Sequence, residues 1–564
     1  MDSKDLASRL IRRWDSLKAV REKTEALRWE AMAYANHRTK ESTAGYSPVP
    51  ELTYFTSHSV IAIENFINGF LGNIVSQNQN WASFRYESKD FTEQDDIQGA
   101  NQYLGLCQKR VMSELANSNF YSEDRLAYKD AFVGGCSAQF VYNDDEREIT
   151  VFKTLQPWDW WCDFNKFGEY DTFFYKKTMT AYRAYQQFGE KLPEEIKKVV
   201  YENGGYDSEY DFLMCIYPRD IKKPKRTQFP KRMKYACVWL SLSYSGTVNK
   251  TTKGYIINEG GYNDFPVVIH TWDSDGENPY GTSPVIRALP ELRRMNMVAY
   301  ESSFALRKIN HSAHVMTPAV SEAFSDEPEA KIIVPSMEQA PVPLQQTQTI
   351  DGAIAMEERQ EEKISRIFYN DMFNYLSRQD KVFTATQVNA VKSEELSLLS
   401  AIFGNIQSQK INKLIKLVIA IMAEKKRLPE GAYEAIGDGK NGTLKIVLDS
   451  MLAQSLKAYT YRDSAIADLE LCAQISQLGQ VDQSWLDSMD NIDKNRLVRL
   501  ALSGNGTDPS VIVDKAEVEM IQKQKAEARA QQAQLQAQLA QSEMVRNMGG
   551  ASNLNNSTGA NQYA

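Results

Sequence analysis

Two histidines spaced i, i+3 in HSAH (His311 and His314) are the closest this chain comes to a metal-binding pair. At a helix end that spacing could bring both imidazoles to one ion. No Cys, Asp or Glu nearby completes a set, so solvated or interfacial histidines are the better reading. The other histidines, His37, His58 and His270, stand alone. Six cysteines (107, 136, 162, 215, 237 and 472) are scattered without a CxxC pair. They indicate neither a zinc site nor a disulfide framework, and read as lone buried thiols of a reducing cytoplasm. The acidic residues of YEAIGDGKNG (433–442) lack EF-hand spacing and read as a turn. There is no GxxxxGK[ST], no GxGxxG after a strand, no HExxH and no GxSxG. No cofactor or metal is expected. A nuclease using Asp and Glu with Mg²⁺ is an alternative that no carboxylate motif supports.

The aromatic run WDWWCDF (158–164) could stack nucleobases. No basic residues interleave with it, so core or a subunit-interface anchor is preferred. EYDTFFYKK (169–177) beside it reads as a strand packed on a core. MEERQEEKISR (356–366) carries its charges at i, i+3 and i+4, the pattern of a solvated helix face. It could also line a pore or bridge subunits. RKINHSAH (307–314) and SRQDK (377–381) add local positive charge. Such residues ordinarily complement helix dipoles; on a projecting part they become candidates for phosphate contact.

The elements that must position these residues are mostly helical. Of the 564 residues, 42% are hydrophobic, 24% charged and 11% aromatic, which is ordinary for a globular protein of more than one domain. The net charge of −8 argues against a protein that grips nucleic acid through a basic footprint. It does not argue against a surface that DNA must slide past without sticking, since a mildly acidic wall repels phosphate. No stretch reaches the roughly 20 apolar residues needed to span a bilayer. The strongest, LIKLVIAIMA (414–423), sits inside a longer amphipathic helix. MDSKDLASRLIRRWD has no apolar core of a signal peptide.

Three long helices dominate the pattern, from about Pro284 to Ile309, Ile354 to Leu376 and Thr386 to Lys426. A proline-punctuated stretch separates the first two, and only SRQDKVFTA separates the second and third. A helix out, a compact insert, a helix back and a tight loop describe a part projecting from a body. The layout makes no obvious pocket and suggests a machine component. Upstream, residues 4–35 form a helix with Leu6, Leu10, Trp14, Leu17, Leu27 and Trp29 at helical spacing. A second helix, about 57–75, places Ile61, Phe66, Phe70 and Ile74 on one side. Helices follow at 95–118 and 123–132, the latter stopped by Gly134-Gly135.

Residues 137–154 read as a β-hairpin around Asn-Asp-Asp. Further strands are expected at 171–180, 211–217, 233–244, 253–258 and 266–271, with helical turns over 181–202. This makes 137–271 a mostly antiparallel α+β region. A short strand follows the glycine-rich turn after residue 433. TDPS (507–510) starts a last helix. From Val511 to Val545 there is no glycine or proline, and the apolar stripe (Val513, Val518, Ile521, Ala526, Ala530, Leu535, Leu539) is thin. Such a helix is weak alone and is expected to pack against copies of itself.

Taken in order, several segments resemble the portal proteins of short-tailed phages, the head-to-tail connectors of podoviruses. NPYGTSPVIRALPELRRMN (278–296) is similar to the Tyr-Gly, Pro and Leu-rich opening of that family's stem. FTATQV (383–388) is similar to its Thr-Ala-Thr-Glu-Val segment, with Gln387 where Glu is usual. NQNWASFRY (78–86) resembles its Trp-containing segment after the second helix. DAFVGGCSAQFVY (130–142) resembles its helix-to-glycine-to-strand step. The resemblance covers about residues 5–500.

The resemblance implies an α+β, mainly helical subunit with wing, stem, clip, crown and C-terminal helical barrel. The wing would be 1–283, the stem helices 284–309 and 353–376, and the clip 310–352. Residues 377–385 would be the tunnel loop, with Arg378, Gln379, Asp380, Lys381, Val382 and Phe383 reaching into a DNA channel. Residues 386–449 would form the long wing-to-crown helix, kinked near Gly404, and the turn-strand after it. The crown would be 450–505, the barrel helix 506–545 and a disordered tail 546–564. His311, His314, Lys331 and Glu338 are the clip residues expected to dock partners, and Val518, Ile521, Leu535 and Leu539 the barrel contacts. The family further implies a ring of twelve at one capsid vertex, without catalytic activity. Double-stranded DNA would pass through it, and the terminase motor and then tail adaptor and nozzle proteins would dock on it. Major capsid and scaffold proteins would surround it, in a virion assembled in the host cytoplasm. No membrane is involved. The alternative is another oligomeric virion protein, such as a head-tail adaptor or internal core protein.

Overall fold

A computed structural model describes residues 3–35, 55–88, 95–221, 226–242, 254–370, 403–429 and 442–448, short gaps excepted, and isolated positions between 520 and 538. The chain divides into two units, Met1–Leu456 and Lys457–Ala564. In the second, the described positions are helical and exposed.

The first unit opens with α1 (Ser3–Tyr34), α2 (His58–Ile74), β1 (Ala82–Ser88), α3 (Asp95–Asn117) and α4 (Phe120–Gly134). Then come β2 (Cys136–Asp144), β3 (Ile149–Thr154), β4 (Trp160–Phe164), β5 (Tyr170–Thr180), α5 (Ala181–Phe188), α6 (Glu194–Tyr201), β6 (Glu209–Pro218), β7 (Tyr235–Ser241), β8 (Tyr255–Tyr262) and β9 (Val267–Thr271). The next elements are α7 (Pro284–Asn310), β10 (His314–Val315), the single turn α8 (Pro318–Ser321), β11 (Val342–Pro343) and α9 (Ile350–Ile367). The chain returns through a π-turn (Gln407–Ile411) into α10 (Asn412–Glu424), then β12 (Gly442–Leu448). This is a mixed helix-and-strand protein, and every strand expected between 137 and 271 is present.

Strands β4 to β8 form one five-stranded antiparallel sheet in chain order. A three-stranded sheet, ordered β3-β2-β9, packs beside it. The two-residue alternation of a strand decides what each face meets. On β6, Leu213 and Cys215 face Leu10, Trp14 and Leu17 of α1, while Met214 and Ile216 face the core shared with the smaller sheet. Both faces are covered, so β6 is buried through its middle.

A larger helical core joins α2, α3, α4, α7, α9 and α10. Phe66 lies at its centre, with Phe132 at 4.5 Å and Trp272 at 5.8 Å between ring centroids. The expected stripe of α2 holds for Phe66, Phe70 and Ile74, but Ile61 is exposed and Ala62, Ile63 and Ile67 complete the buried face. On α1, Leu27 is exposed and Arg21 and Arg28 are buried, because this helix passes from an apolar sheet face to polar backbone it must satisfy. Among the described residues no helix is long and apolar enough to cross a membrane.

The irregularity in the returning helix is not at Gly404, whose neighbours are ordinarily helical. It is the π-turn three residues on. An extra residue in one turn re-aims the side chains that follow, and here it delivers Lys410 into the core.

Candidate functional site

The segment NPYGTSP (278–284) leads into α7. Tyr280 is buried, its hydroxyl accepting from the Cys162 amide at 3.3 Å. Gly281 has φ 57°, and a Cβ there would lie 2.4 Å from the Asp273 carbonyl, so only glycine fits. Thr282 and Asp273 exchange backbone hydrogen bonds, at 2.9 and 3.3 Å. Ser283 caps α7 by accepting from the Ile286 amide at 3.0 Å, with Pro284 at the first helical position. Its hydroxyl donates to the Val133 carbonyl at 2.8 Å.

That last bond joins two motifs far apart in sequence. Gly135 ends α4 at φ 90°, and its carbonyl accepts from Trp272 at 2.9 Å. A Cβ at Gly135 would come within 3.2 Å of the Tyr280 carbonyl. Arg28 of α1 clamps both sides, donating to the carbonyls of Tyr280 at 2.6 Å and Gly281 at 3.1 Å, and to Cys136 Sγ at 3.0 Å. The chemistry here is mechanical. Satisfied backbone and two positive-φ glycines fix the angle at which α7 leaves the body.

Near the body α7 and α9 share the helical core through Leu289, Leu292 and Met295 on one side and Ile364 and Phe368 on the other. Lys363 pairs with Glu291 at 2.6 Å. The charge run 356–366 is a largely solvated face, with Gln360, Ile364 and Phe368 as its buried stripe. Further out, apolar side chains are exposed. On α7 these include Met297 (66%), Tyr300 and Phe304, and in the insert Val315, Ile333 (85%), Met337 (87%) and Val342.

The titratable groups that converge do so in the interior. Lys410 Nζ lies 2.7 Å from Asp124 Oδ1 and 3.2 Å from the Tyr128 ring centroid. Tyr128 packs edge-on to His270, which is hydrogen-bonded to Ser137 at 2.8 Å. Burial pushes the Asp124 carboxyl up and the Lys410 ammonium down, and each charge opposes the other's shift. Burial, then Lys410, holds the His270 imidazole well below its ordinary range. Burial, then Asp124, raises the Tyr128 phenol. These groups lie at zero to a few per cent exposure.

Where the two sheets splay apart beside α10, away from the helix-insert-helix layout that makes no obvious pocket, a cleft of about 580 Å³ opens, lined by Phe140, Tyr142, Tyr175 and Trp239 with Lys153 and Lys177. No sequence motif announces it, because its walls come from two sheets and a helix that only the tertiary fold assembles.

The docking residues sort out as follows. His311 caps the end of α7, its amide donating to the Arg307 carbonyl at 2.8 Å, and is exposed. His314 lies on β10, its ring 4.8 Å from Phe324. The two therefore do not share a helix face, because α7 ends before either. Glu338 is exposed on a 3₁₀ turn (Met337–Gln339). Ile521 is helical and exposed. Lys331, the loop residues Arg378, Gln379, Asp380, Lys381, Val382 and Phe383, and Val518, Leu535 and Leu539 lie outside the described residues, as does the expected crown at 450–505. The aromatic run 158–164 is core: Trp160 is fully buried, Trp161 meets Trp14 edge-on at 5.3 Å and Trp158 stacks on Trp29 at 5.1 Å. Among the described residues, no three His, Cys, Asp or Glu side chains converge as a metal site.

Comparison with known proteins places this architecture. The portal protein of Salmonella phage epsilon15 is 23% identical over 481 residues, covering 84% of this chain and 82% of its own length. The probable portal protein of Bordetella phage BPP-1 is 23% identical over 482 residues, covering 84% and 81%. The family described as bacteriophage head to tail connecting protein matches residues 7–513, from the first turns of α1 to beyond β12. A match over nearly the whole chain, spanning the glycine-locked junction and the helices it aims, makes this protein a member of the bacteriophage head to tail connecting proteins.

Proposed function

We propose that the chain is a phage portal subunit. Twelve copies form a ring at one capsid vertex, through which double-stranded DNA is packaged and later ejected. The ring docks the terminase motor and then tail adaptor and nozzle proteins, within a shell of major capsid and scaffold proteins. Its role is that of a conduit, and the work of ATP hydrolysis belongs to the motor.

The observation that carries this reading is the apolar surface of Met297, Tyr300, Phe304, Val315, Ile333, Met337 and Val342 on the projecting part. A lone subunit exposes it to water, and neighbouring copies would cover it. In that assembly α7 and α9 are stem helices and 310–352 is the clip, where His311, His314, Lys331 and Glu338 meet partners. Twelve copies at −8 each make a strongly acidic body that repels DNA from its walls. Within the channel, Arg378 and Lys381 of the tunnel loop touch phosphates weakly and resist backward slippage. The barrel helix packs through Val518, Ile521, Leu535 and Leu539.

Negative-stain electron microscopy of the purified chain tests the ring. Annular particles of about twelve subunits with a central channel are expected. A monomer at every concentration, and in the presence of scaffold, would overturn it. Replacing Arg378 and Lys381 together by Ala is expected to change packaging or genome retention while leaving rings intact. Normal packaging and retention would remove the loop's assigned role.

A further inference from the structure

A turn near one end of the five-stranded sheet presents an aromatic side chain to solvent, and an aromatic-lined cleft opens further along the same sheet. The turn joins β4 to β5. Asn165 pins it: its side-chain oxygen accepts from the amides of Phe167 at 2.8 Å and Glu169 at 3.0 Å, and its own amide donates to the Glu169 carbonyl at 2.8 Å. Gly168 supplies the positive φ of 76°. Phe167 stands out of this turn at 74% exposure, with Lys166 4.8 Å from its ring. A large apolar side chain held out by a hydrogen-bonded turn has little ordering entropy left to lose on docking, which is how anchor residues are built.

The cleft begins at Tyr175, five residues beyond the start of β5, roughly 17 Å along the strand. Tyr175 and Lys177 point into it from β5, Phe140 and Tyr142 from β2, and Trp239 from β7. Phe140, Tyr175 and Trp239 pack partly buried on the core beneath, and Tyr142 is the more open wall. Lys177 is half-buried there and donates to the Gln187 side-chain oxygen at 3.1 Å rather than to a carboxylate. Burial, then its neighbour Lys153, pushes its ammonium down to about 8. Glu424 of α10 lines another part of the cleft. The turn carries the matching signs, Glu169 for the two lysines and Lys166 for Glu424.

We propose that Phe167 and its turn on one subunit seat in this cleft on the next subunit. The two surfaces differ and lie apart on one chain, so the contact is head-to-tail and can close only as a ring. The inference rests on the ring reading above and adds where neighbouring bodies touch.

The test places the photoreactive phenylalanine analogue p-benzoylphenylalanine at position 167 of the full chain, irradiates purified rings and maps the adducts by mass spectrometry. An intersubunit adduct on Tyr142, Lys153, Tyr175 or Lys177 is expected. In parallel, Lys177→Glu is expected to lower ring yield about tenfold or more at fixed subunit concentration, and adding Glu169→Lys to restore it. Rings that form normally but give adducts elsewhere, or none between subunits, overturn the contact and leave the ring standing. Absence of rings in the unmodified chain overturns both.

Discussion

Lys410 and Asp124 form an ion pair at 2.7 Å inside the helical core, with side chains only 2% and 3% exposed. The π-turn delivers the lysine and α4 the aspartate. A buried pair of this kind contributes little net stability compared with apolar residues of the same shape, but breaking it strands a charge. Asp124→Asn alone, or Lys410→Met alone, is expected to cost about 3–5 kcal/mol. The double variant is expected to recover much of that loss. Denaturant midpoints of the four proteins check this, and additive losses would mean the two side chains act separately.

His270 gives a pH dependence with a definite sign. Its folded-state pKa is depressed, so below pH 6.5 the unfolded chain binds a proton that the folded chain does not. Its contribution is therefore present above its unfolded value and lost as pH falls through and below it, with a slope of up to about 1.4 kcal/mol per pH unit. Asp124, raised by burial, acts in the opposite direction at lower pH. Comparing the chain with its His270→Gln variant between pH 7.5 and 5.5 isolates the imidazole. The variant is expected to lose stability less steeply on acidification, and parallel curves would show that His270 is not held neutral.

Gly281 tests the junction. An alanine there brings a Cβ 2.4 Å from the Asp273 carbonyl on a residue at φ 57°. Gly281→Ala is expected to destabilise the body by about 1–3 kcal/mol and to lower ring yield by misaiming α7. Thermal unfolding reads the first effect and size-exclusion chromatography with light scattering the second. Unchanged values would show that the turn yields without strain.

The projecting surface should separate folding from assembly. Met297 and Met337 are exposed in the subunit, so Met297→Glu and Met337→Glu are expected to change its stability by no more than about 0.5 kcal/mol. Each is expected to shift the population from rings towards monomers. Melting temperature and light-scattering mass, measured on the same samples, distinguish this from simple unfolding.

Much of the frame was legible because its signals are local. Cys136–Thr154 folds as a hairpin since β-rich runs flank a polar turn, and Ser283-Pro284 starts a helix since a hydroxyl cap and a fixed φ suffice. The long helices on either side of the insert follow from periodicity. Ile61 and Leu27 were misread because an apolar residue at the edge of a stripe can face either way until its neighbours are placed. Gly404 drew attention as a kink point, yet a π-turn depends on what the following side chains must reach, and glycine does not encode that.

The sequence by itself determined the order of elements, the antiparallel sheet region and the glycine positions where the chain must turn tightly, because each depends on a few adjacent residues. The tertiary structure decided the rest. Lys410, Arg21 and Arg28 are indistinguishable in sequence from surface cations, and only partners far along the chain draw them inside. The cleft beside α10 exists only where two sheets diverge. A charge is buried, and a pocket is made, by residues distant in sequence, and that distance is what the fold removes.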